Sequence, residues 1–208
     1  MEVTIAVTAC YPIETLGMNA VPGVRLIRTP VGERAPEPLE ELPRSEGVSL
    51  LVATGFCGGL LPDLRFGDLV LADAVRHRGE EIRIDADLLD RARAALGGRA
   101  RVGACESIPF VADLAAKQGL GDSGAATIDM ESGPLARWAT RREVPFLALR
   151  VVLDAVDDDL PFSSDRPIAA SFLRHPIRAV RAARRAARAG RRLGDALNDL
   201  LPALKEES

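Results

Sequence analysis

The position of Asp154 in the sequence suggests a role in acid catalysis. It directly follows the apolar stretch 144–153 (VPFLALRVVL). A carboxyl group at the end of a buried strand is partly desolvated, which raises its pKa and keeps a proton available near neutral pH. Such a group can serve as a general acid. An aspartate in this position can also simply cap the helix that follows, so the position alone leaves both roles open.

Two further segments have suitable residue types. The stretch 128–132 (IDMES) places acidic side chains at the start of a predicted helix, where they bind a ligand or only favour the helix dipole. The stretch 53–60 (ATGFCGGL) runs from a strand into a glycine-rich turn and is followed by 67–70 (GDLV). Glycines there either let a ligand approach the backbone N–H groups closely or only form a tight turn.

Strand and helix patterns alternate along the chain and must position these residues. The apolar stretch before Asp154 is typical of a central parallel strand buried on both faces. The alternation predicts a single α/β domain with a mixed, mostly parallel central sheet flanked by helices, with ligands at the carboxyl ends of strands. We predict strands at 3–9, 24–29, 49–53, 69–75, 101–105 and 146–153, and helices at 38–42, 87–96, 113–118 and 130–142.

Charge divides the 208-residue chain into an acidic body and a basic end. Residues 1–165 carry 17 Lys and Arg against 26 Asp and Glu, whereas residues 166–208 carry 10 against 4. We therefore predict an α/β domain over 1–165 and a basic helical extension over 166–208. An acidic body argues against nucleic-acid binding, since a duplex-binding face needs clustered cations.

The basic end is predicted to be a long amphipathic helix. Apolar residues recur at three- and four-residue spacing over 169–204, beside a separate stripe of arginines, and Gly190 and Gly194 are weak points where the helix could bend. The apolar stripe packs either on the protein itself or on a partner subunit. Alternatively, the helix rests on an anionic membrane surface.

Other classes of protein fit the sequence poorly. No stretch approaches the roughly 18 consecutive apolar residues of a membrane span, and the N-terminus lacks signal-peptide features, so we expect a cytoplasmic protein, with contact at the inner membrane face as an option. Cys10, Cys57 and Cys105 show no C-x-x-C spacing. We expect free thiols and no metal site.

Taken together in their order, these motifs resemble the nucleoside phosphorylase and nucleosidase family, which includes purine nucleoside phosphorylase and methylthioadenosine nucleosidase. The resemblance covers roughly 49–165 and rests on 54–59, 67–70, Met130-Glu131 and 144–154. Within the family, 154–161 (DAVDDDLP) and the arginine-rich end are most similar to the hopanoid-associated phosphorylases. That similarity implies release of adenine from a lipid-linked adenosine derivative of the adenosylhopane type.

The resemblance also implies a role for individual residues. Asp154 would protonate N7 of the purine, and Glu131 would bind the ribose hydroxyls and stabilise the positive charge that develops on the sugar. Further implied substrate contacts are Met130, Phe110, Val111, Phe56, Cys57 and Asp129, and the residues implied to position the nucleophile are Glu14 and Thr54.

Two departures from the family pattern keep the reaction type open. Leu153 precedes the acid where the family has a small residue, and the N-terminal part is shorter than in the family and lacks a phosphate loop. Phosphorolysis with inorganic phosphate, hydrolysis and an inactive purine-binding homologue therefore all remain. A soluble substrate, such as methylthioadenosine, adenosylhomocysteine or futalosine, is the alternative to the lipid-linked one. No cofactor is implied, and the family resemblance implies a homo-oligomer, either a dimer or larger.

Overall fold

The computed structural model describes residues 4–42, 47–110, 117, 119–120, 123–156 and 176–205, with only the backbone at 176–179. Within this part of the chain, ten short segments form strands. They are β1 (Ile5–Ala9), β2 (Val24–Arg28), β3 (Leu50–Gly59), β4 (Leu69–Leu71), β5 (Ala74–His77), β6 (Glu80–Arg83), β7 (Ala100–Val102), β8 (Cys105–Ser107), β9 (Thr127–Asp129) and β10 (Phe146–Asp154).

The strands form one mixed sheet, and most of the pairs are parallel. Its main path runs β6-β5-β8-β9-β3-β10-β4-β7, and β1 pairs with β3 and with β2. β3 is the centre: it lies parallel to β10 along one edge, and on the other edge it pairs with β1 and then β9. Both β3 and β10 are almost wholly buried, as a doubly covered strand should be. The predicted α/β fold is confirmed.

Two details of the predicted strands differ in the structure. The predicted strand 69–75 divides into β4 and β5, because β4 pairs with β10 and β7 whereas β5 pairs with β8 and β6. The predicted strand 101–105 likewise covers most of β7 and the first residue of β8, which pair with β4 and with β5. β6 and β9 were not predicted. β6 has the mainly polar sequence EEIR and is largely exposed, and β9 is only three residues long, so neither shows an apolar pattern.

Four α-helices are described: α1 (Glu37–Glu40), α2 (Ala86–Ala95), α3 (Ser132–Arg141) and α4 (Pro176–Lys205). The start of α2 is capped by Asp85, whose carboxylate accepts a hydrogen bond from the backbone N–H of Leu88 at 2.9 Å. The helix predicted at 113–118 lies outside the described residues, apart from Lys117.

The long helix α4 belongs to the main hydrophobic core. From Ala189 onward its apolar side is buried together with residues of β1, β3 and β10, so this part of the stripe is covered by the protein itself, whereas Val180 is exposed. The buried residues are Ala189, Leu193, Ala196, Leu197, Leu200, Leu201 and Leu204. In the described part of the chain, no helix is long and apolar enough to cross a membrane.

The glycines of α4 are sites of close packing. We predicted that the helix could bend at Gly190 and Gly194, but it runs through both without a break. A side chain at Gly190 would overlap the carbonyl oxygen of Ile13, and one at Gly194 would overlap that of Leu16. The two glycines therefore let the helix backbone touch the short 3-10 turn Pro12–Thr15.

Candidate functional site

A cavity of about 270 Å³ opens at the carboxyl ends of β3 and β10. Its volume is close to the lower end of ordinary ligand pockets, roughly 300 Å³. Aromatic and aliphatic side chains make up most of the wall, with four acidic residues and one lysine among them. The lining residues are Cys10, Tyr11, Glu14, Val31, Phe56, Cys57, Gly58, Phe110, Lys117, Ile128, Asp129, Met130, Glu131, Leu153 and Asp154.

Glu14 is held at the cavity by backbone donors. It lies on the 3-10 turn Pro12–Thr15 and accepts hydrogen bonds from the N–H of Tyr11 at 2.8 Å and of Phe56 at 3.3 Å. Burial raises the pKa of the Glu14 carboxyl, and these hydrogen bonds together with Arg150 partly oppose that rise. The result is a fixed, poorly hydrated carboxyl group in the cavity wall.

Glu131 occupies the N-cap position of α3 and reaches back to another segment. Its carboxylate accepts a hydrogen bond from the backbone N–H of Gly32 at 3.0 Å. Burial, and next to it the charge of Asp129, raises the pKa of Glu131 to about 7, although Arg150 acts in the opposite direction. Glu131 can therefore change its charge close to neutral pH.

A buried guanidinium, that of Arg150, lies behind the acidic wall. It forms an ion pair with Asp129 at 2.7 Å and donates to the hydroxyl of Ser132 at 2.8 Å. Burial works against its charge, but Asp129 and Glu131 raise its pKa above the ordinary value. Arg150 thus stays cationic and balances the carboxylates around it.

Asp154 is set by a bulge at the end of β10. Pairing with β3 is regular up to Val152 opposite Cys57, then shifts so that Asp154 lies opposite Gly58 and Leu153 is the extra residue. A bulge changes the direction of the side chain that follows it. The carbonyl of Leu153 accepts a hydrogen bond from Arg185 of α4 at 2.9 Å, which anchors the bulge.

Asp154 forms a buried ion pair with Lys117. The ammonium of Lys117 donates to Oδ2 of Asp154 and, at 3.1 Å, to the carbonyl of Ala155. Only 2% of Lys117 and 4% of Asp154 is exposed. That Asp154 itself holds a proton stays a prediction; contact with a cation favours the ionised form of a carboxylate.

Two glycines of β3 mark chemically different ends of the cavity. A Cβ at Gly55 would lie 2.7 Å from Arg150 and 3.0 Å from Glu14, whereas one at Gly58 would lie 3.2 Å from Lys117 and 3.5 Å from Asp154. Three residues of strand span about 10 Å. One end therefore presents Glu14 in front of a buried guanidinium, and the other presents a lysine–aspartate pair.

The structure brings most of the predicted site residues to this one cavity. Glu14, Glu131 and Asp154 share it, and so do the predicted contact residues Met130, Phe110, Phe56 and Cys57. Val111 lies outside the described residues. The roles assigned to these side chains remain predictions.

Asp129 and Thr54 are placed differently from what we predicted. Asp129 reaches the cavity wall, but its carboxylate is engaged by Arg150 and by the hydroxyl and N–H of Ser132, so it orients the guanidinium and is poorly placed to bind a substrate. Thr54 is buried between strands, where its hydroxyl donates to the carbonyl of Leu149 at 3.1 Å. It does not line the cavity.

Reasoning from the sequence missed Lys117 and assigned no role to Arg150. Arg150 has a sequence signal, since a charged residue inside an otherwise apolar strand must find buried partners. Lys117 has a compositional signal, because lysine is rare in this chain. The pairing of Lys117 with Asp154 could not be predicted from the sequence, because the two residues are 37 positions apart.

The cavity offers neither a thiolate nor a metal site. Burial, followed by the charge of Glu131, raises the pKa of Cys10 to about 12, and burial also raises that of Cys57, so both thiols stay protonated. All three cysteines are free. Among the described side chains, no group of three or more His, Cys, Asp or Glu is arranged to hold a metal ion.

The sequence matches the Phosphorylase superfamily over residues 39–189, which is more than half of the chain. The chain therefore belongs to this family. Similar curated proteins include the 5′-methylthioadenosine/S-adenosylhomocysteine nucleosidases of Shewanella pealeana and Shewanella denitrificans. Each is 25% identical over 142 residues, covering 57% of this chain and 62% of the relative, so the match spans less than two thirds of those enzymes.

Solved structures of the same fold extend the likeness to nearly the whole chain. Futalosine hydrolase of Helicobacter pylori superposes with a TM-score of 0.73 at 15% identity, covering 97% of this chain and 98% of that one. A nucleosidase of S. pneumoniae for methylthioadenosine and S-adenosylhomocysteine, bound to a transition-state inhibitor, gives 0.72 at 17% identity, covering 97% and 100%. At these identities the likeness establishes the fold.

Proposed function

We propose that the protein hydrolyses the N-glycosidic bond of a purine nucleoside. The observation that carries this proposal is the convergence of Glu14, Glu131 and Asp154 on one cavity at the carboxyl ends of β3 and β10. Nucleosidases of the same family, described above, act on nucleosides of this kind. The apolar remainder of the wall suits a flat base, with Phe56 and Phe110 available for stacking.

Hydrolysis is favoured over phosphorolysis by the charges in the cavity. Among the described lining residues there are four carboxyl groups but one cation, Lys117, which is engaged by Asp154. Behind the wall, Arg150 is paired with Asp129, so both described cations at the cavity are engaged by carboxylates and neither is free to hold a phosphate anion. Carboxylates suit a neutral water and a developing sugar cation. Glu14 is the residue we assign to orient that water, because its carboxylate is fixed at the Gly55 end.

The proposed reaction divides between the two ends of the cavity. At the Gly55 end, Glu131 accepts hydrogen bonds from the ribose hydroxyls and stabilises the cationic transition state, while Glu14 takes a proton from the attacking water. At the Gly58 end, the Asp154 side of the cavity delivers a proton to N7 as the C1′–N9 bond breaks. The products are the free purine and the sugar with a hydroxyl on C1′.

A soluble nucleoside is the better-supported substrate class. The similar proteins are named for methylthioadenosine, S-adenosylhomocysteine and futalosine, and none of those described above is a hopanoid-associated phosphorylase. The lipid-linked substrate rested partly on the arginine-rich end as a membrane-binding helix. That support is weakened, because the apolar side of α4 is buried in the protein from Ala189 onward.

We also propose that a second copy of the chain covers the mouth of the cavity. Three large side chains that line the cavity are strongly exposed: Tyr11 at 47%, Val31 at 40% and Phe110 at 50%. A group of exposed apolar side chains around a cavity is typical of a contact surface. A homo-oligomer would shield the cavity from bulk solvent.

The test is release of free base from a panel of nucleosides, with and without inorganic phosphate. The panel contains adenosine, methylthioadenosine, S-adenosylhomocysteine, futalosine and an adenosylhopane-type lipid. We expect base release without phosphate and a reducing sugar as the second product. Phosphate-dependent formation of ribose 1-phosphate would reject hydrolysis, and no base from any member would reject the proposed function.

Two variants test the assigned carboxylates in the same assay. Asp154→Asn and Glu131→Gln should each lower turnover by about 100-fold or more, as expected when a group acting in the transition state is lost. Surface Glu143→Gln, on an exposed residue outside the cavity, is the matched control. Full turnover in both site variants would show that the roles are wrong.

A further inference from the structure

The chain uses lysine in only two places, Lys117 and Lys205, against 25 arginines. One of the two, Lys117, is buried in the cavity wall. Arginine keeps its charge at all relevant pH values, whereas a buried lysine can give up its proton. A chain that otherwise relies on arginine thus carries a cation able to release a proton at the Gly58 end of the cavity.

Two acceptors hold the ammonium of Lys117 at the Gly58 end of the cavity. Its Nζ donates to Asp154 and to the carbonyl of Ala155, and both side chains of the pair line the cavity. Gly58 makes room for the pair, since a Cβ there would lie 3.2 Å from Cε of Lys117, 3.5 Å from Oδ2 of Asp154 and 3.0 Å from Ile128. The absence of a side chain at Gly58 thus leaves space for the ion pair and for a ligand that approaches the strand.

The ion pair between Asp154 and Lys117 determines which group can protonate N7 of the leaving purine. A leaving purine must gain a proton at N7, but an aspartate paired with an ammonium is ionised and has no proton of its own to give. The ammonium is the only adjacent proton source shown among the described residues of the cavity wall. The proton can therefore pass from Lys117 to the purine through the carboxylate of Asp154.

We infer that Lys117 is the source of the proton that activates the purine as a leaving group, with Asp154 as the relay. This inference rests on the proposed nucleosidase function. As the C1′–N9 bond breaks, its electron pair moves into the purine, N7 takes a proton from Asp154, and Asp154 takes one from Lys117, which becomes a neutral amine. Water bonds to C1′ and gives its proton to Glu14. Solvent then removes the proton from Glu14 and returns one to Lys117.

The experiment compares Lys117→Arg with Lys117→Met on two substrates. Arginine keeps the ion pair but does not act as an acid, so it separates proton donation from charge alone. The substrates are a purine nucleoside cleaved by the wild type and p-nitrophenyl riboside, whose leaving group departs as an anion and needs no proton. Lys205→Arg is the matched control, because Lys205 lies at the end of α4 and donates to the carbonyl of Pro22.

We expect both Lys117 variants to lose about 100-fold or more on the purine nucleoside, within the usual range for general acid catalysis. Their loss on p-nitrophenyl riboside should be at least tenfold smaller, and Lys205→Arg should match the wild type on both. Near wild-type activity of Lys117→Arg on the purine nucleoside would overturn the inference and leave the nucleosidase function intact. Equal losses on both substrates would show a structural role, and thermal melting of each variant identifies unfolding. A wild type that cleaves no purine nucleoside would overturn both proposals.

Discussion

The individual carboxylates of this site are distinguished by what holds them. Backbone N–H groups hold Glu14 and Glu131, a guanidinium holds Asp129, and an ammonium holds Asp154. A carboxylate with an adjacent cation favours its charged form, whereas a buried one without a full countercharge favours its neutral form. The four acids can therefore differ in charge within one small cavity.

At the residue scale we predict a pH dependence that comes from Glu131. Because its pKa is raised to about 7, its ionised form appears only as the pH rises through 7. If the ribose is bound by the ionised form, kcat/KM should increase about tenfold between pH 6 and pH 8, since this ratio reports the free enzyme. Steady-state kinetics across this range checks the expectation.

A carboxyl carbon signal in ¹³C NMR assigns that titration. The wild type should show a glutamate carboxyl that titrates near pH 7 and is missing from Glu131→Gln. The titration should also move when Asp129 or Arg150 is replaced, because both charges act on Glu131. A rate that is flat or decreases from pH 6 to pH 8 would contradict the assignment.

Individual site residues could be predicted where the residues next to them in the sequence show a recognisable strand or helix pattern. Asp154 follows a long apolar strand, and Met130 and Glu131 lie beside a helix start, so local pattern was sufficient to nominate them. The partnerships were not predictable. Glu131 meets Gly32 across 99 positions and Asp154 meets Lys117 across 37, and no periodicity records such distances.

At the scale of elements, α4 positions the turn that carries Glu14. Its backbone approaches that turn closely at Gly190 and Gly194, and its Arg185 binds the bulge before Asp154 while stacking on Phe66 at 4.6 Å. Both ends of the cavity thus depend on one helix. Sequence reasoning predicted the helix and its apolar stripe, but it treated the glycines as weak points because it could not see the turn packed against them.

We predict that Gly190→Ala damages both stability and activity. The added methyl group has to displace the carbonyl of Ile13, and overpacking of this kind costs about 1 to 3 kcal/mol of the free energy of unfolding. Turnover should fall further than stability explains, because Glu14 follows directly after Ile13. Denaturant unfolding and kcat, measured on the same preparation, test this expectation.

Gly47→Ala is the matched control, since a Cβ at Gly47 meets nothing within 4 Å. It should leave the unfolding midpoint and turnover unchanged. If Gly190→Ala behaved like this control, α4 would not set the position of the turn.

At the scale of the whole molecule, the mouth of the cavity predicts an assembly. Light scattering after size exclusion should give a mass at least twice the 22.2 kDa of one chain. Val31→Asp places a charge in the exposed rim and should shift the mass to that of a single chain. Val180→Asp, at a position 52% exposed on α4, should not. A single-chain mass for the wild type would reject the proposed cover.

The exposed arginines of α4 predict only a salt-sensitive form of surface binding. Arg181, Arg184 and Arg188 are exposed, whereas the apolar side of the helix is buried from Ala189 onward. Any binding to anionic vesicles should therefore be lost in about 1 M salt, where charges are screened beyond about 3 Å. Vesicle flotation measures it, with neutral vesicles as the control. Binding that survives high salt would show that apolar side chains, such as the exposed Val180 of α4, also contact the membrane.

The fold class was accessible from the sequence because alternating patterns constrain a parallel sheet strongly. The pairing order was less accessible, because short strands such as β7, β8 and β9 have only three residues each and receive their partners from the tertiary structure. Charge predicted a basic helical extension over 166–208, and α4, the described helix in this range, contributes apolar residues to the main core.

Backbone N–H groups, and not side chains, donate the hydrogen bonds that hold Glu14 and Glu131. Every amino acid except proline supplies the same N–H group, so replacing Tyr11 or Phe56 leaves the donor to Glu14 in place. Gly32, which donates to Glu131, has a φ of 75° that favours glycine. The sequence around Glu14 can therefore change over evolutionary time while this acid keeps its donors. This is one way in which a common architecture can persist among proteins that share only about one residue in six or seven.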